Sequence, residues 1–75
     1  MELKDIIAAF AAEFDDTPEE EFKADTEFKE LDEWSSLTAL SIIAMVDEQM
    51  DVTITGADIR ASKTIEDLFN LASAK

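Results

Sequence analysis

Ser35 and Ser36 stand side by side between Trp34 and Leu37, where a long acidic stretch meets the most apolar helix-forming run of the chain. A helix N-terminus leaves backbone N–H groups without partners, so a hydroxyl placed there has two possible uses. It can cap the helix, a role serine fills well and one worth about 1 kcal/mol. It can also accept a group from another protein. A phosphate attached at that point would lie at the positive end of the helix dipole, gaining about 0.3–1 kcal/mol. Capping accounts for one serine and leaves the other to be explained.

Catalysis by either serine is not expected, given what the chain lacks. It contains neither His nor Cys, so no Ser-His-Asp or Cys-His arrangement can form, and there is no thiolate metal site or disulfide. Carboxylates are abundant, but in a chain with 19 acids any pair is uninformative and reads as a solvated face. No group is matched to act as a general base near neutral pH. The acids before Trp34 also lack the D-x-[DN]-x-[DN]-G pattern of a calcium loop. A hydroxyl with no base beside it is a substrate, and the chain is not expected to be an enzyme.

The elements that position this junction follow from periodicity. Leu3, Ile6, Ile7, Phe10 and Phe14 keep helical spacing, which predicts an amphipathic helix over 3–14, stopped by Asp15-Asp16-Thr17-Pro18. Residues 15–35 show no clear helical period. Phe22, Phe28 and Leu31 are the expected anchors of this long loop, Trp34 is a hydrophobic clamp at its end, and Asp25 or Thr26 could cap one short turn. A second helix is predicted over 36–50, with Ala39, Ile42, Ile43, Val46 and Met50 facing the core. Leu37, Ser41, Ala44 and Glu48 fall on the opposite side, and Leu40 and Met45 lie between. That outer face is more apolar than a solvated face needs, which suits a protein partner.

Val52 and Ile54 alternate as in a strand, but no second strand-like run exists to pair with, so 51–56 reads as an extended connector. A short helical turn within 55–61 buries Ile59. Thr64, with Asp67 three residues on, resembles a capping box and opens a last helix along Ile65, Leu68, Phe69 and Ala72. The expected fold class is all-α: a small four-helix bundle with three main helices, one short helix and a long loop between the first two. With 75 residues, a single domain spanning 1–75 is expected.

The formal net charge is −13, from 19 acids and 6 bases. Such a field repels nucleic acid and anionic lipid and attracts proteins with basic patches. No apolar run approaches a membrane span and no secretory signal is visible, so a cytoplasmic monomer is the expectation.

Several segments together resemble an acyl carrier protein. They are Phe28-x-x-Leu31, Trp34-Ser35-Ser36-Leu37, Ile42-Ile43, Val46-Asp47-Glu48 and Lys63-Thr64-Ile65. The likeness covers nearly the whole chain. It implies a four-helix bundle with a short third helix, and a 4′-phosphopantetheine arm on the serine of an Asp-Ser-Leu motif. Aligning that motif places Ser36 at the attachment position, followed by Leu37. The arm would supply the thiol the chain lacks and carry acyl groups as thioesters. Ser35 stands where the family usually has the Asp that partner enzymes recognise. The resemblance thus implies a recognition surface of Ser35, Leu37, Leu40, Ser41, Ala44, Met45, Asp47 and Glu48. Its implied partners are a phosphopantetheinyl transferase and acyl-transfer or synthase enzymes, in fatty-acid or specialised biosynthesis such as polyketide-like or cell-surface pathways. An aminoacyl or D-alanyl carrier, and an unmodified acidic adaptor using the same second helix, are the alternatives.

Overall fold

In the computed structural model, which describes residues 2–75, four α-helices pack around one apolar core. They are α1 (Leu3–Ala12), α2 (Ser36–Met50), α3 (Gly56–Ala61) and α4 (Ile65–Ser73), with 3₁₀ turns at Glu19–Glu21 and Phe28–Glu30 in the loop between α1 and α2. The all-α bundle with a short third helix is the architecture expected. Helix α1 packs against α2 and α4, and α3 closes the end between α2 and α4.

Local chemistry sets most boundaries. The Asp5 carboxylate accepts the Glu2 N–H at 3.0 Å and holds the start of α1. This helix ends two residues earlier than its apolar spacing predicts. There the chain tightens into i→i+3 bonds, Glu13 N–H to the Phe10 carbonyl and Phe14 N–H to that of Ala11, and Phe14 stays in the core beyond the helix. The capping box at Thr64 and Asp67 forms as expected: the hydroxyl accepts the Asp67 N–H at 3.1 Å and the carboxylate returns to the Thr64 N–H at 3.1 Å. A second box at Thr55 and Asp58 opens α3 in the same way. At the other end of α2, Asp51 takes the left-handed conformation (φ 55°) that usually falls to Gly or Asn, and its N–H caps the Asp47 carbonyl at 3.0 Å.

The loop from 13 to 35 is held down by aromatic rings. Phe28 is fully buried, tilted against Phe10 at 5.2 Å between centroids and edge-on to Trp34 at 5.1 Å. Phe22 packs on Phe14 at 5.0 Å. Phe22, Phe28 and Leu31 are thus the anchors expected, and Trp34 clamps the loop end. Neither Asp25 nor Thr26 caps the turn at Phe28. The Thr26 hydroxyl instead accepts the Lys23 N–H and donates to the Glu21 carbonyl, closing a turn that precedes it. The Thr26 and Ala24 carbonyls accept the Ile65 and Glu66 N–H groups, which ties the loop to the first turn of α4. Among the described residues no helix is long and apolar enough to cross a membrane.

Candidate functional site

Loop and helix meet at Ser35, and the structure separates the two serines. Ser35 is the N-cap of α2, with extended backbone (φ −155°, ψ 175°), and its Oγ accepts the Thr38 N–H at 3.3 Å. Thr38 Oγ1 donates to the Glu33 carbonyl at 3.0 Å, since a carbonyl can only accept. The Ser35 proton therefore points to Thr38 Oγ1, 3.2 Å away. The Ser35 hydroxyl thus accepts one bond and donates its proton in holding the helix start. Ser36 is the first residue of the helix proper. Its side chain is exposed, and among the described residues its Oγ has no hydrogen-bond partner. The Ser36 and Leu37 N–H groups of this first turn have no partners within the helix, whereas that of Thr38 goes to Ser35 Oγ.

Upstream, Glu33 braces the junction. Its Oε1 accepts from the Thr17 hydroxyl and from the Asp16 N–H at 2.9 Å, joining the two ends of the loop. The Thr17 hydroxyl is the main cause that holds the Glu33 carboxyl below its ordinary range, helped by the Asp16 amide. The carboxylate that precedes the serines is thus occupied, and the first turn of α2 holds no acidic residue.

A cleft of about 310 Å³ opens beside Ser36, between the loop, α2 and α3. Trp34, Ala39 and Ile59 give it apolar walls, and Lys29 and Arg60 bring cations to it. An exposed, uncommitted hydroxyl on a first helical residue, with unpaired N–H groups and two cations nearby, suits an attached phosphate.

The proposed recognition residues fall into separate groups. Leu37 and Leu40 are 76% and 62% exposed, the large apolar side chains most open to solvent. Ala44, Asp47 and Glu48 are exposed as well. Ser41, Ala44 and Glu48 line a second groove, about 370 Å³, on the flank of α2 that faces α1. Ser41 is half-buried, and its hydroxyl turns back to the Leu37 carbonyl at 3.3 Å. Met45 is a correction. It is 6% exposed and belongs to the core, because Ala9 and Ala12 on α1 are small enough to let its flexible side chain reach between the helices. Sequence reasoning also passed over Lys29, Gly56, Ile59 and Arg60, which reach the cleft from segments far apart in the chain.

The profile of the family described as "Phosphopantetheine attachment site" matches residues 4–71. The chain belongs to that family. It is a carrier protein of the acyl carrier type, and such proteins bear a covalently attached 4′-phosphopantetheine. No individual curated protein and no solved structure matches the chain significantly. Domains of this family are carriers that synthase and transferase enzymes act upon, rather than catalysts themselves.

Proposed function

We propose that Ser36 carries the 4′-phosphopantetheine arm and that this carrier moves acyl thioesters between partner enzymes of fatty-acid or specialised biosynthesis. The observation that carries the assignment is the division of labour at the α2 start. The Ser35 hydroxyl is tied to Thr38, whereas the Ser36 hydroxyl is exposed and uncommitted. Ser36 Oγ would form the new bond to phosphorus while the phosphoanhydride of coenzyme A breaks and the nucleotide leaves. Its proton would pass to a base supplied by the transferase, since the Ser36 hydroxyl has no hydrogen-bond partner among the described residues. The arm supplies a thiol, which holds cargo as a thioester.

Leu37 and Leu40 offer the apolar part of the partner surface, and Asp47 and Glu48 the acidic part. Partners with basic patches suit a carrier of net charge −13. The acidity favours acyl over peptidyl cargo. The test is to isolate the protein from its native cell and measure intact mass before and after hydroxylamine, which cleaves thioesters. The proposal predicts an arm plus a hydroxylamine-labile acyl mass. An amino-acid mass would favour the aminoacyl alternative, and a bare chain would favour the unmodified adaptor.

A further inference from the structure

We propose that the cleft beside Ser36 is an anion clamp, in which Lys29 and Arg60 hold the phosphodiester that links the arm to the chain. This inference rests on the assignment of the arm to Ser36.

Position is the first support. Ser35 and Ser36 form one edge of the cleft, Lys29 comes from the loop, and Arg60 comes from α3 with Gly56 and Ile59. Two basic residues 31 positions apart in sequence thus line the same cleft as Ser36. Charge is the second. The chain has only 6 basic residues against 19 acids. Among the described residues, the ion pairs to carboxylates use Lys4, Lys63 and Lys75, so neither Lys29 nor Arg60 is neutralised within 4.0 Å. Lys23 is likewise without a carboxylate partner among the described residues but lies outside the cleft, so two of the three bases without such a partner line it.

Orientation is the third support. Lys29 Nζ donates to the Arg60 carbonyl at 3.0 Å, which fixes the ammonium against α3 and leaves two of its three donors for another acceptor. The Arg60 guanidinium folds back over the head of α3, where a Cβ on Gly56 would lie 3.4 Å from Nη1. A phosphodiester carries one negative charge and two free oxygens. A guanidinium can grip both oxygens and an ammonium can add a third contact. The charge of the linkage would then be met locally rather than repelled by the field of the chain. The first atoms of the arm would lie over Ala39 and Ile59 instead of swinging freely from α2.

The test compares fully loaded protein in three forms: wild type, Lys29→Gln/Arg60→Gln, and the charge-preserving Lys29→Arg/Arg60→Lys. Arg60→Gln alone is a fourth form. It keeps the Lys29 bond, which goes to a backbone carbonyl. The phosphorus NMR resonance is recorded at about 0.1 M and about 1 M salt, where screening lengths are about 10 Å and about 3 Å. Melting temperature is measured with and without the arm.

The clamp predicts a wild-type resonance displaced and broadened relative to the double Gln variant, moving toward it at high salt. The charge-preserving variant stays near wild type, and Arg60→Gln falls between. Loading leaves the wild-type melting temperature level or raised, and lowers it in the double Gln variant. Equal resonances and equal loading shifts in all four forms would overturn the clamp while leaving Ser36 as the attachment point. A chain that takes no arm would overturn both the assignment and the clamp.

Discussion

Replacing Ser35 by Ala tests the division of labour between the two hydroxyls without any enzyme. The substitution removes the acceptor of the Thr38 N–H and the donor to Thr38 Oγ1. N-cap losses cost about 0.5–2 kcal/mol, and the 3.3 Å bond is long, which places this one in the lower half, about 0.5–1 kcal/mol. In a domain this small, 1 kcal/mol moves the melting temperature by about 4–8 °C, so Ser35→Ala should melt about 2–8 °C lower. Ser36→Ala removes no hydrogen bond and puts the best helix former in the first turn. It should stay within about 0.5 kcal/mol of wild type. Calorimetry or circular dichroism melting on unloaded protein reads both. A Ser36→Ala protein that loses as much stability as Ser35→Ala would refute the reasoning, as would a Ser35→Ala protein that loses none.

Phe28→Ala should cost about 3–5 kcal/mol, because a fully buried ring in contact with Phe10 and Trp34 leaves a cavity under the loop; Trp34 fluorescence under urea denaturation would report it. Thr17→Val removes the main cause of the lowered Glu33 carboxyl while leaving the charge count unchanged. A carboxyl depressed by folding adds stability above its unfolded value, here 4.5, and loses it as pH falls through the folded value. The gap in melting temperature between wild type and Thr17→Val should therefore be full near neutral pH and narrow below about 4.5; a gap that widens on acidification would contradict this. Leu37→Ala should leave melting unchanged, since the side chain is 76% exposed, yet weaken transferase or synthase binding more than Glu48→Gln does. Surface plasmon resonance would show the order, and the reverse order would place the contact on charge.

Much of the fold was legible because apolar spacing shows where a helix runs and a capping residue can show where it starts. Thr64 and Asp67 are one example, and Ile54, the inward residue of an unpaired strand-like run, is another. The limits came where contacts join distant segments. Ile42 and Val46 are buried as their spacing indicates, but Ala39, Ile43 and Met50 are only half-buried against the core. The buried face of α2 is rotated toward Met45, which the size of Ala9 and Ala12 on another helix allows. Either serine suited an N-cap by type. The choice required the Thr38 hydroxyl to be committed to Glu33, a bond no spacing rule announces. The Lys29 bond to the Arg60 carbonyl, 31 residues away, left no periodic trace at all. The resemblance implies Ser36 for the proposed arm, and among the described residues the hydrogen bonds leave that hydroxyl uncommitted.

The most direct test of the central claim is intact mass after incubation with coenzyme A and a broad-specificity phosphopantetheinyl transferase. Wild type should gain one arm, Ser36→Ala none, and Ser35→Ala still one. A wild-type chain that gains no mass, or a gain that survives Ser36→Ala, would contradict that claim.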